Sequence, residues 1–231
     1  MRIKRAALTA LIATVCATSI QAQNHKYDTW DNNYTVQGLL GAVKFRDLDV
    51  VDSGGTGDPV TIDISTIPQI GGAWTTLPKG NRVEYGLECS FLLGFRFDNI
   101  NYLSSSTNGL QVGISTSMWM FDFAGGAYAN LFLNEGKTVR VYVGGGPLMT
   151  YVSYDSDRTE NGGSDPGTYN TSESAFGLGL YARTGFEVRV HERGMLGLGI
   201  RGTWSNVDLS EISSSSDLIG TSVFATYTAG F

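Results

Sequence analysis

The 231-residue chain carries 16 basic and 22 acidic side chains, a formal net charge of −6. That balance excludes nucleic acid as a partner, because phosphate backbones require a basic surface. After residue 22 no run of eighteen apolar residues occurs, so a membrane-crossing helix is not expected.

The first residues read as an export signal. Arg2, Lys4 and Arg5 form a positive start, residues 6–17 an apolar run too short to span a bilayer, and small residues lead to a cleavage site after Ala22. Cys16 follows Ala13-Thr14-Val15, which lacks the small residue that lipid-modification sites place directly before the cysteine. Without this leader, which holds three of the 16 basic residues, 209 residues remain with 13 basic against 22 acidic side chains. One cysteine, Cys89, is left, so no intrachain disulfide supports the fold.

Residues 23–33 form a polar periplasmic lead-in, with Trp30 and Tyr34 as candidate interface anchors. Barrel strands are expected from 34 to 231. The first, about 34–47, has ambiguous parity: Val36, Leu40 and Ala42 compete with Leu39, Val43 and Phe45 for the outward face. A Gly-rich loop near 48–60 precedes a second strand at about 61–77, and Pro78-Lys79-Gly80-Asn81 is a tight turn.

The third strand, 82–98, alternates most clearly. Val83, Tyr85, Leu87, Cys89, Phe91, Leu93, Phe95 and Phe97 form one face, against Arg82, Glu84, Glu88, Ser90 and Arg96 on the other. A loop at 99–109 leads to a fourth strand ending near Leu133, with Trp119, Phe121 and Phe123 opposite Asp122, Tyr128 and Asn130. Asn134 to Lys137 is a second tight turn. The fifth strand, 138 to about 154, sets Val139, Val141 and Val143 against Arg140, Tyr142 and Gly144.

The longest loop is expected at 155–172. The sixth strand, 173–190, alternates Phe176, Leu178, Leu180 and Phe186 with Gly179, Arg183, Glu187 and Arg189. After a third tight turn at His191 to Gly194, the seventh strand, 195–209, sets Leu196, Leu198, Ile200 and Trp204 against Arg201 and Thr203. A loop at 211–217 precedes the last strand. There Val223, Ala225, Tyr227, Ala229 and Phe231 form one apolar face, interleaved with small or polar residues.

Eight strands with short and long connections in alternation give an all-β fold: an eight-stranded antiparallel transmembrane β-barrel with short turns on the periplasmic side. A soluble sandwich or lipocalin-like barrel would put its charge outside. Here the polar faces carry glycine and near-balanced charge, as a narrow lumen requires, and Trp74, Trp119, Trp204 and Tyr227 fall near strand ends. The lumen should hold Arg82, Glu84, Glu88, Arg96, Asp122, Arg140, Arg183, Glu187, Arg189 and Arg201. Buried charges must be paired, so this set reads as a salt-bridged structural plug, with a charged constriction in a narrow solute pore as the alternative.

No catalytic set is assembled. His25 lies in the lead-in, and His191 lies in a turn without a serine beside it, whereas a hydroxyl nucleophile needs an adjacent base. Asp155, Asp157, Glu160 and Asp165 lack the glycine position and closing Glu of a calcium loop. Gly54 to Asp58 is an incomplete single calcium nonapeptide, and Gly144-Gly145-Gly146 has neither the lysine nor the helix of a phosphate loop. No cofactor or metal is therefore expected.

The eight-strand pattern, Tyr142-Val143-Gly144-Gly145-Gly146-Pro147 and the closing strand to Phe231 resemble small bacterial outer-membrane β-barrel proteins, including opacity-like surface antigens and the OmpA-type membrane domain. The resemblance spans nearly the whole chain after the leader. It implies an outer-membrane location and contact with lipid and lipopolysaccharide. It also implies insertion by the barrel-assembly machinery through the C-terminal strand, and loops that can meet an extracellular ligand. Members of this group serve as surface adhesins, structural stabilisers or occasional small, porin-like pores. A lipid-modifying enzyme is a remoter alternative, because the group shares no catalytic set.

Overall fold

The computed structural model describes residues 30, 33–46, 49–52, 60–63, 65–76, 82–103, 111–161, 167–208 and 217–231. The expected leader, His25 and the Gly54 to Asp58 segment lie outside these residues. Ten strands form: β1 (Thr35–Phe45), β2 (Asp49–Asp52), β3 (Val60–Asp63), β4 (Thr66–Thr75), β5 (Val83–Leu103), β6 (Gln111–Phe132), β7 (Val139–Asn161), β8 (Gly167–His191), β9 (Gly194–Val207) and β10 (Asp217–Gly230). Eight of them close an antiparallel barrel in the order β1-β10-β9-β8-β7-β6-β5-β4, while β2 and β3 pair only with each other. The fold is a closed eight-stranded antiparallel β-barrel.

Closure joins β1 to β10 over eleven residue pairs, from Thr35 opposite Gly230 to Phe45 opposite Gly220. Beyond the last pair, the amide of Phe231 donates to the Tyr34 carbonyl at 3.0 Å, and the two rings stack at 5.3 Å. The register line from Phe45 passes Gly220, Thr203, Tyr181 and Gly146, then Gly126, Glu88 and Thr75, and re-enters β1 at Thr35. It has slipped from Phe45 to Thr35, and such a stagger over eight strands tilts them by about 40°. Around the closed ring each strand pairs on both sides, so that ring has no sheet edge to present to lipid.

The outward positions form an apolar belt. Leu87, Leu178, Ile200, Val223 and Leu40 all stand more than half exposed, a surface that water would penalise and hydrocarbon accepts. The belt ends in aromatic residues: Trp74 and Tyr227 toward the short turns, Phe97, Trp119, Phe176 and Trp204 toward the long connections. Phe97 meets Trp119 edge-on at 5.6 Å, and Tyr151 lies 4.7 Å from Phe176.

Several boundaries differ from the sequence reading. The expected loop at 155–172 is largely strand: β7 and β8 continue pairing up to Glu160 opposite Gly167. Residues 99–103 likewise extend β5, with Leu103 opposite Gln111. The expected second strand is split, and Thr61 belongs to the β2–β3 hairpin outside the barrel. The parity of β1 is settled: Val36 and Leu40 face outward, while Leu39, Val43 and Phe45 are buried inside. Because β5 to β8 run 21–25 residues and β1, β4, β9 and β10 only 10–14, one half of the wall stands roughly 20 Å above the rest at the long-connection end.

Candidate functional site: the barrel lumen

The interior is built from every second residue of the same strands. At its centre the Arg183 guanidinium grips Glu88 from the opposite wall, Nη2 to Oε2 at 2.5 Å and Nε to both carboxylate oxygens at 3.1 Å. Tyr181 donates its hydroxyl to Glu88 Oε1 at 2.6 Å. Space for this pair comes from Gly144, where an added Cβ would stand 2.5 Å from Glu88 Oε1.

Toward the short turns, Glu187 is wholly buried. Its Oε1 accepts from Gln37 Nε2 at 2.7 Å, Thr226 Oγ1 at 2.8 Å and Thr228 Oγ1 at 2.7 Å. Its Oε2 accepts Arg140 Nε at 2.7 Å and Nη2 at 2.5 Å. Gln37 links the two centres, because its Oε1 also accepts Arg183 Nη1 at 2.5 Å. A third pair lies toward the long connections: Arg201 Nη1 donates to Asp122 Oδ2 at 3.2 Å, and Thr150 donates to Asp122 Oδ1 at 2.9 Å. Arg183 also faces the Tyr142 ring at 5.2 Å, and Arg201 the Tyr181 ring at 5.1 Å. A cation over an aromatic face keeps part of the stabilisation lost with its hydration shell.

Both ends are closed by apolar layers. At the short-turn mouth Trp30 is only 1% exposed and packs with Phe132 and Met195. Its ring lies 5.8 Å from the Arg140 guanidinium and 5.6 Å from that of Arg189. The sequence reading of Trp30 as an interface anchor is thus corrected: the ring caps the lumen. Lys137 adopts φ 49° in the β6–β7 turn, where Asn134 Oδ1 accepts the Thr138 amide at 2.9 Å. From there its Nζ reaches Glu84 Oε1 at 2.9 Å and the Trp30 carbonyl at 3.1 Å. At the other mouth Val43, Phe45, Ile67, Met118, Met120, Val152, Val207 and Leu218 form one buried cluster. Between the layers lie cavities of about 10 Å³, each with room for about one water, against Arg183 with Arg201 and against Arg183 with Arg140.

Of the charges read into the lumen from sequence, Glu84, Glu88, Asp122, Arg140, Arg183, Glu187, Arg189 and Arg201 are buried there. Arg82 is not: it is exposed before β5, and its Nε donates to the Phe132 carbonyl at 3.3 Å. It precedes the ladder and so lies at the rim. Arg96 is part-exposed and pairs with Asp98 at 2.5 Å, clear of the central network. Gln37, Tyr142, Thr150, Tyr181, Thr226 and Thr228 also belong to the network; the sequence pattern sets Tyr142 on the inward face but names none of the six as partners of the charges. Their only signal in the sequence is polar chemistry at inward parity. Val223, Ala225 and Tyr227 face outward and Ala229 less so, with Phe231 half exposed past the strand end.

His191 closes β8 at the short-turn rim and is exposed. Asp155 and Asp157 lie on the exposed face of β7, not in a loop. Among the described residues no group of three His, Cys, Asp or Glu side chains is placed to hold a metal.

No protein-family model matches the chain, and no curated protein does. Solved structures do. The attachment invasion locus protein Ail of Yersinia pestis aligns with 86% of this chain and 99% of its own at 14% identity and a TM-score of 0.48. The outer membrane protein OprG of Pseudomonas aeruginosa covers 89% and 98% at 9% identity and a TM-score of 0.48. Neisserial surface protein A covers 86% and 97% at 14% identity and a TM-score of 0.39. These three are small eight-stranded outer-membrane barrels.

Proposed function

We propose that the chain is an exported integral protein of the bacterial outer membrane whose role is structural or surface-interacting, with a lumen that does not conduct. The observation that carries this reading is the closed interior. Arg140–Glu187, Arg183–Glu88 and Arg201–Asp122 fill it, and apolar layers around Trp30 and around Phe45 seal both mouths. Charged side chains that ion-pair across a narrow barrel occupy the path a solute would take.

In this reading the leader is cleaved after Ala22, and the barrel-assembly machinery takes up the closing strand from Val223 to Phe231. The short turns face the periplasm and the tall half-wall of β5 to β8 faces the outside. That wall and the connections beyond it are the surface that would meet an extracellular ligand. The test is single-channel recording of the refolded protein in a planar bilayer, with heat-dependent gel migration as proof of folding. A silent membrane is expected. Reproducible conductance steps that shift in Arg183→Gln or Arg201→Gln would establish a pore and overturn the reading.

A further inference from the structure

The outward belt carries a single charge among the described residues between Trp74 and Tyr227 at one rim and Trp119 and Trp204 at the other: Lys44, next to last on β1. It is exposed, lying between the inward Val43 and Phe45, and forms no ion pair with a described residue. In the ladder it stands directly opposite Thr221 of β10 on one side and Thr66 of β4 on the other. Both threonines are exposed on the same face. Cross-strand neighbours on one face hold their Cβ atoms about 5 Å apart, so an ammonium and two hydroxyls form one row of donors. The row beneath is apolar, with Pro68, Ala42 and Val223 in register, and the next holds Ile70, Leu40 and Ala225. Exposed Arg46 follows one row above.

A lysine that faces hydrocarbon is costly unless its head reaches the interface and finds an anion. Here the cation sits at the top of an apolar column, flanked by hydroxyls, which is the polarity profile of a lipid laid against the wall: phosphate above, acyl chain below. We propose that Thr66, Lys44 and Thr221 form a binding site for the phosphate of an outer-leaflet lipid, with the acyl chain along Ala42 and Leu40. This rests on the outer-membrane reading above.

The test uses the full chain refolded into phosphatidylcholine vesicles that contain either lipid A or the same lipid A with its phosphates removed. Native mass spectrometry of the released protein counts the lipid it retains. Retention of the phosphorylated form about fivefold above the dephosphorylated form is expected, the size of one lysine near an anionic surface. Lys44→Gln should erase the preference, Lys44→Arg should keep it, and the double variant Thr66→Val, Thr221→Val should weaken it. Equal retention of both lipids by the unaltered chain, or an undiminished preference in Lys44→Gln, overturns the site. Displacement by excess inorganic phosphate would make it a free-phosphate site and overturn the lipid assignment. Failure of the unaltered chain to enter the vesicles, seen as no heat-dependent gel shift, would overturn the barrel reading as well. Insertion without phosphate preference overturns only the site.

Discussion

Glu187 is where the lumen should be most sensitive to loss of charge. Its carboxylate is wholly buried and accepts from Gln37, Thr226, Thr228 and two nitrogens of Arg140. Glu187→Gln keeps the shape but removes the charge that compensates Arg140, which is 3% exposed. A buried guanidinium left without its partner costs about 3–5 kcal/mol. The new amide would also point donors at a site that already supplies them from four side chains. Reintroducing balance by Arg140→Met in the same chain should recover most of the loss, because the desolvation cost disappears with the second charge. The assay is guanidinium unfolding in vesicles, followed by the heat-dependent gel shift and extrapolated linearly to zero denaturant. A Glu187→Gln protein within about 0.5 kcal/mol of the original, the range of an ordinary surface change, would refute the reasoning. So would a double variant no more stable than the single.

Other outcomes follow from the same geometry. Trp30→Ala should cost about 3 kcal/mol in the same titration, the usual loss for a large buried aromatic, because its ring fills the short-turn mouth beside Phe132 and Met195. Gly144→Ala should cost about 1–3 kcal/mol by overpacking, since the added methyl meets the Glu88 carboxylate. Ile200→Arg, on the lipid face, should destabilise the barrel by about 2–4 kcal/mol in a bilayer, although its neighbour Arg201 sits buried in the lumen. Denaturant unfolding in vesicles measures this, and an unchanged midpoint would count against a lipid-facing Ile200.

The sequence disclosed most of the barrel because the outward positions of the belt are almost uniformly apolar. At the mid-height of β5, β6 and β8 small or charged inward residues stand beside outward aromatic ones, so alternation is plain there: Phe91 beside Ser90, Phe123 beside Asp122, Phe186 beside Glu187. In β1 it fails, since Leu39, Val43 and Phe45 are apolar yet face inward, where they help close the lumen. Residues 155–161 and 167–172 read as loop because that part of the wall rises past the belt and water wets its outer face. Asp155, Asp157 and Ser172 are exposed there, and without apolar residues the period-two signal is lost. Charge balance announced a paired interior, but the pairing itself was hidden. Arg183 meets Glu88 across the lumen at a sequence separation of 95 residues, a contact that depends on stagger as well as parity.

The claim on which the account depends is that the apolar face of this barrel lies in lipid. Cys89, the sole cysteine after residue 22, is exposed on that face between Leu87 and Phe91. A nitroxide attached to it in the refolded, vesicle-bound protein can be probed by power saturation with oxygen, which concentrates in hydrocarbon, and with a polar nickel chelate, which does not. The account predicts strong relaxation by oxygen and little by the chelate at Cys89. Chelate access equal to that of a label at exposed Asp155 would place this face in water and contradict the transmembrane barrel.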